Sequence, residues 1–224
     1  MCGRGSLTIN EKQLELKFDK HFYSQDVERY NPLPNFNVAP SHFMPVITAE
    51  SDHFACMRWG LIPFWAKDMK IGYKMINARK ETILEKNAFK KAAVSQRCVV
   101  PFDGFYEWRR HEDGTKTPYR IGISNFEIFL IAGLWEKWKS PTNEIIHSFT
   151  LITQKPIEKL AHIHDRMPAL IIPGEEKAWL DLTIPPAHAL DSIRPLEADE
   201  IDFYAVGSEV GNVRNNNASL IKQA

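Results

Sequence analysis

Apolar positions along the 224-residue chain fall into short runs divided by polar turns. Phe43 to Ala49 and Phe54 to Trp59 are two such runs, split by an Asp/Glu/Ser turn, and they predict paired strands. Cys98 to Val100 predicts a strand that ends at Pro101, because proline cannot donate to a ladder. Phe105 to Arg110 and Thr117 to Ile123 flank Asp113-Gly114, which predicts a hairpin. Glu127 to Trp138 and Ile145 to Thr153 are apolar and β-rich, and predict central strands, with a further strand at Phe203 to Val206. Helices are expected at Glu11 to Asp19, with Asn10 as N-cap, at Glu81 to Ala93, at Glu175 to Leu182 and at His188 to Ile193. Many closely spaced strands without regular βαβ alternation predict an α+β fold, mainly antiparallel β, with short peripheral helices.

The chain length suits one domain, residues 1–224, with a sizeable core. Hydrophobic residues make up 44% and charged residues 25%, as in an ordinary globular protein. No leading apolar segment or membrane-length run appears, so a cytoplasmic location is expected, or a nuclear one in a eukaryote, with no membrane partner. The three cysteines, Cys2, Cys56 and Cys98, are too few and too odd for a disulfide framework, and they fit a reducing compartment. No metal-ligand spacing or cofactor fingerprint stands out, and none is expected.

Zero formal net charge excludes a protein that is basic as a whole. The charge is uneven, however. Between Lys67 and Arg97 nine basic residues stand against three acids, while Glu197, Asp199, Glu200 and Asp202 form an acidic run. These are either two solvated faces or, for the first, a positive surface for phosphates.

Cys2 carries the most specific chemistry. Its small side chain permits removal of Met1, which leaves an α-amine and a thiol on adjacent carbons. The amine, with an ordinary pKa of about 7.7–8.0, is partly neutral at pH 7 and can condense with an aldehyde. The thiol can then close a thiazolidine ring. Alternatively, the thiolate attacks an amide with the α-amine as base, as in N-terminal-nucleophile hydrolases such as glutaminases. Cys2 could also simply pack.

Three other segments offer partners. In Gly104-Phe105-Tyr106-Glu107-Trp108 an acid sits between aromatics, where desolvation would raise the Glu107 pKa and suit it to proton transfer; otherwise it is a partly exposed hairpin charge. In Ile163-His164-Asp165-Arg166-Met167-Pro168, Asp165 or a backbone carbonyl could orient His164, or the histidine belongs to an ion-pair loop. Pattern alone does not separate His164 from His162. Asn77 and Arg79 pair an amide with a phosphate-type fork inside the basic stretch.

These blocks, together with Asn37-Val38-Ala39-Pro40, Arg58-Trp59-Gly60-Leu61-Ile62-Pro63, Leu151-Ile152-Thr153 and Val210-Gly211-Asn212-Val213, resemble the SOS response-associated peptidase (SRAP) family in order and spacing. The resemblance implies a distorted β-barrel-like core. It implies a protein that senses abasic sites in single-stranded DNA and forms a covalent thiazolidine crosslink through Cys2, with peptidase-type removal of Met1 at most. It implies catalytic roles for Cys2, Asn77, Glu107 and His164: Glu107 for ring opening and proton transfer, His164 for proton transfer at the sugar oxygen, and Asn77 for orientation. It places Arg79 and Arg166 on phosphates, Arg4 and Thr153 along the DNA path, and Trp108 against a base. Pro40 with Trp65 would be the wedge that splays the strand, and Pro63-Phe64-Trp65-Ala66 offers two rings for it. The expected partner is single-stranded DNA containing abasic sites, bound by a monomer with weak sequence preference. No appended motif names a replication-fork partner. A cysteine glutaminase is the alternative.

Overall fold

A computed structural model describes residues 2–23, 31–49, 51–125 and 127–224. The described residues form thirteen strands in chain order. They are β1 (Gly5–Leu7), β2 (Asn35–Val38), β3 (Phe43–Thr48), β4 (Ala55–Trp59), β5 (Asn77–Arg79), β6 (Arg97–Phe102), β7 (Gly104–Arg110), β8 (Lys116–Ile123), β9 (Phe129–Lys139), β10 (Ile145–Gln154), β11 (Met167–Pro168), β12 (Leu170–Ile171) and β13 (Ile201–Ala205). The α-helices among the described residues are α1 (Glu11–Phe18), α2 (Lys90–Ser95), α3 (Glu158–Ala161), α4 (Lys177–Leu180) and α5 (Pro186–Asp191).

Five strands close on themselves. β3 pairs with β4 and β6, β6 with β9, β9 with β10, and β10 with β4, which completes a barrel. Four of these pairings are antiparallel and β4–β10 is parallel. β9 shows in its sequence why it can sit there. Phe129 to Leu134 is buried on both faces, so no polar alternation is needed. Beyond it Lys137 and Lys139 turn outward while Trp138 stays in, as a half-solvated strand requires. Trp59 stacks on Phe149 and meets Phe102 edge-on inside the barrel.

Past the barrel, β10 continues. β5 runs parallel along Leu151–Thr153, and β11 takes the other edge at Thr153 and Gln154. A second sheet, in the order β13-β8-β7-β1-β2, leans against this end. Its hairpin β7–β8 closes through residues 111–115, where Gly114 adopts φ 83° and Asp113 accepts from the Thr115 amide.

α1 forms with the expected cap: Asn10 and Gln13 make a reciprocal capping box. Several expectations need correction. Glu81 to Ala93 is not one helix. The Lys80 amide binds the Thr153 carbonyl and Glu81 pairs with Arg166, so the chain leaves β5 in successive turns and only Lys90–Ser95 is helical. β6 does not end at Pro101. β3 pairs only with Val99 and Cys98, so on that side Pro101 faces no ladder, while it keeps register with Leu130. Arg97 does not belong to the basic surface. It is buried over Trp179 and donates to the carbonyls of Asp181 and Ile184. The helices expected near 175–182 and 188–193 are shorter or displaced, with Pro186 opening α5.

Candidate functional site

β1 carries the amino-terminal residues into the junction between the two sheets. Gly5 pairs with Phe105, and a Cβ on Gly5 would stand 2.7 Å from the Phe102 ring, so the strand lies as close to β6 as glycine permits. Beneath β1 a polar anchor holds it. Asp103 accepts from the Ser6 and Thr8 hydroxyls and the Thr8 amide, and pairs with Arg120 at 2.8 Å. A buried carboxylate with this many donors is satisfied, and it fixes the direction of the strand.

Cys2, 1% exposed, sits just ahead of β1. The Asn77 amide, at the start of β5, donates to the Cys2 carbonyl at 2.7 Å. The other end of that amide, Oδ1, is buried with no hydrogen-bond partner among the described residues. Glu107 on β7 is 3% exposed, and burial pushes its carboxyl up to about 7. Burial, and then the nearby Glu107 charge, push the Cys2 thiol up, which keeps it protonated.

His164 faces Glu107, with Nε2 3.7 Å from Oε2. Its Nδ1 accepts from the Arg166 amide at 3.0 Å and lies 3.0 Å from Asp165 Oδ1. A neutral ring cannot serve both. The backbone amide can only donate, so Nδ1 is the acceptor and the proton sits on Nε2, aimed at Glu107. Burial lowers the His164 pKa, which favours that neutral form. His162 is exposed and lies against Phe203, so the structure distinguishes the two histidines. A groove of about 480 Å³ opens over this cluster, lined among others by Glu107, Trp108, Arg110, Lys116, His164 and Asp165.

The other expected residues surround the cluster unevenly. Thr153 is buried, and its carbonyl accepts from Arg166 at 2.6 Å. The Arg166 fork grips Glu81 through two 2.8 Å contacts, holding that carboxyl below the usual range. Arg79, in register with Thr153, is exposed and makes no ion pair among the described residues. Arg4 lies over the Trp108 ring, and its Nη1 donates to Asn37 Oδ1 and to the Val210 carbonyl. The Ser41 amide beside Pro40 binds the Trp59 carbonyl. Trp65, 50% exposed, sits on the turn from Pro63 to Ala66, beside an equally exposed Phe64 whose ring carries Lys91 at 4.4 Å.

Residue types alone did not single out Asn37, Asp103 or Arg120. Asn37 is buried, and its amide also donates to the carbonyls of Val210, Asn212 and Asn215, tying two of the quoted blocks to each other.

A closed barrel with an edge sheet that drives an amino-terminal cysteine against a buried acid, a histidine and an asparagine defines a protein built around its first residues. The chain belongs to the SOS response-associated peptidase family, whose model matches residues 1–213. It is 41% identical over 225 residues to the abasic site processing protein YoqW of Bacillus subtilis (strain 168), covering 99% of each. It is 33% identical over 263 residues to the abasic site processing protein HMCES of Xenopus tropicalis, covering 96% of this chain and 76% of that one. A crystal structure of a protein from Bacteroides thetaiotaomicron superposes over the whole of both chains with a TM-score of 0.92 at 27% identity. The alternative of a glutaminase requires two stacked sheets between helix layers, and the barrel with short helices is a different arrangement.

Proposed function

We propose that this chain, acting as one domain and as a monomer in the cytoplasm, or at the nucleoid of a bacterium, processes abasic sites in single-stranded DNA. It ends as a covalent thiazolidine adduct of Cys2. Relatives at 41% and 33% identity named as abasic site processing proteins support the substrate. The observation that carries the chemistry is Cys2 pinned by Asn77 beside a carboxyl of pKa about 7.

Removal of Met1, by an aminopeptidase or by the peptidase-type chemistry in the family's name, frees the α-amine of Cys2. His164 Nε2–H hydrogen-bonds the sugar ring oxygen as the abasic deoxyribose opens to its aldehyde: the C1′–O4′ bond breaks and the C1′ hydroxyl proton ends on that oxygen. The amine lone pair adds to C1′ and gives a carbinolamine. Glu107, about half protonated near neutrality, hands a proton to the departing hydroxyl, and one water leaves as the imine forms. The thiol, held protonated by burial, follows the amine rather than preceding it. Its sulfur bonds to the imine carbon, its proton passes to the nitrogen, and the ring closes. The sum is aldehyde plus aminothiol giving thiazolidine plus one water. Asn77 holds the Cys2 carbonyl, and its unpartnered Oδ1 is an acceptor for the freed amine. Arg79 takes a phosphate, Trp108 a base face, and the Pro40 and Trp65 turns part the strand.

The test is intact mass after mixing with an abasic single strand, followed by peptide mapping. The expected product is the chain without Met1 plus the strand minus one water, attached at Cys2. Attachment at another residue, or a complex that dissociates on denaturation, overturns the proposal.

A further inference from the structure

Arg110 and Lys116 face each other across the β7–β8 ladder as direct register partners. Like charges directly opposite on an antiparallel pair repel and weaken the hairpin. Both side chains are exposed, and neither makes an ion pair among the described residues. Folding gains nothing from this arrangement. Both residues line the same groove of about 480 Å³ as Glu107, Trp108 and His164. Trp108 and Arg110 are two residues apart on one strand, so they project from the same face. Their separation along β7 is about 7 Å, the rise of about two stacked nucleotides.

From this geometry we infer that Arg110 and Lys116 form an anion subsite for a backbone phosphodiester of the bound strand, about two nucleotides from the base on Trp108. The inference rests on the proposed single-strand function and extends it along the groove, beyond the residues already placed there. The guanidinium supplies a fork and the ammonium a point charge, two donors of one sign that a phosphate satisfies at once. A phosphate also removes their repulsion, so the subsite stabilises the hairpin when it is filled. Asp165 and Glu107 also line the groove and disfavour a phosphate beside them, whereas Arg110 and Lys116 stand next to the hairpin turn and offer the anion its place there.

The experiment measures non-covalent binding of an unmodified oligothymidylate 15-mer across a salt series, using the full chain. Wild type is compared with Arg110→Ser/Lys116→Ser, with Lys116→Glu, and with Lys139→Ser as a charge-loss control on the exposed part of β9. The double variant should bind roughly tenfold more weakly at moderate salt, and its log–log salt slope should fall by about 0.7, since the subsite holds one phosphate and each single-strand phosphate contact contributes about 0.7. Lys139→Ser should leave the slope unchanged. Lys116→Glu converts repulsion into attraction, so it should raise the melting temperature while weakening binding. A double variant with the wild-type slope overturns the subsite while leaving the proposed function standing. So does a Lys139→Ser variant with the same loss. A wild-type chain that fails to bind the oligonucleotide overturns both.

Discussion

Cys98 and Cys2 are equally shut away from solvent, at 0% and 1% exposure, and burial pushes both thiols up. Around Cys98 burial is the sole cause. The residue lies in the barrel wall between Thr48 of β3 and Gly133 of β9. Around Cys2 there are also the Glu107 carboxyl, which itself lines a groove, and an amide on the Cys2 carbonyl. Burial alone makes a thiol inert; what distinguishes Cys2 is the polar company that the edge sheet brings to it. The sharpest way to break this comparison is to remove each sulfur. Cys2→Ala should abolish the denaturation-resistant product and keep weak strand binding. Cys98→Ala should keep the full yield and lower stability by about 1 kcal/mol. A persistent adduct in Cys2→Ala, read on a denaturing gel, would break the contrast.

Glu107 is the next lever, because it differs most from anything near Cys98. Glu107→Gln should slow adduct formation by up to about 10²-fold. In the wild type the protonated acid is lost as pH rises through about 7, while the α-amine gains reactivity toward about 8, so the rate should be bell-shaped. In Glu107→Gln the limb near 7 should vanish. Stability follows the same group. Its folded pKa is raised above the unfolded value, so the unfolded state gives up its proton first. The stabilising contribution is full below about 4.3 and is lost as pH rises through about 7. Melting temperatures should therefore fall across that window in the wild type and fall less in Glu107→Gln. An unchanged rate profile removes Glu107 from the site.

The barrel and the site differ also in how far the sequence discloses them. The apolar run into Leu134 and the Asp113-Gly114 turn are local signals, and the strands they predict are present. The closure is not local. β4 and β5 lie parallel to β10 across long stretches of chain, and no run of residues encodes that pairing. Glu81 to Ala93 has helical composition, yet a contact with Arg166, 85 residues away, decides its path. Cys2, Glu107 and His164 were legible as reactive types. Their meeting depends on β1 entering between β2 and β7, which only the topology supplies. Arg97 and Arg79 look alike in a charge count, and one is buried against Trp179 while the other is exposed.

Asn37 tests whether that assembly depends on its far rim. Its amide joins Arg4 to three carbonyls between Val210 and Asn215. Asn37→Ala takes the side-chain donor from the Asn215 carbonyl and one acceptor from Arg4, while Val210 keeps Arg4 and Asn212 keeps the Asn215 amide; an unmade buried bond costs about 1–3 kcal/mol when no water replaces it. A total loss of roughly 2 kcal/mol is expected, measured as a lower urea midpoint. With one of its two anchors gone, Arg4 is held less firmly over Trp108, which should also slow crosslinking a few-fold at subsaturating strand. Cys98→Ala, by contrast, should change stability without changing that rate. Equal effects on rate from the two variants would erase the distinction between rim and barrel.

The smallest effect separates two arginines that the sequence treats alike. Arg166 spends its fork on Glu81 and the Thr153 carbonyl, whereas Arg79, beside it across β10, has no such partner. Arg79→Ala should leave the melting temperature within error, since an exposed unpaired cation contributes little. It should weaken strand binding a few-fold, similarly for every base sequence, and flatten the salt slope by about 0.7. Arg166→Ala should show the reverse order: a clear loss of stability, because Glu81 and Thr153 lose their donor, with a smaller change in slope. A loss of binding in Arg79→Ala that depends on base sequence would contradict a phosphate contact. A slope change in Arg166→Ala at least as large as in Arg79→Ala would show that the fork leaves Glu81 when a strand arrives.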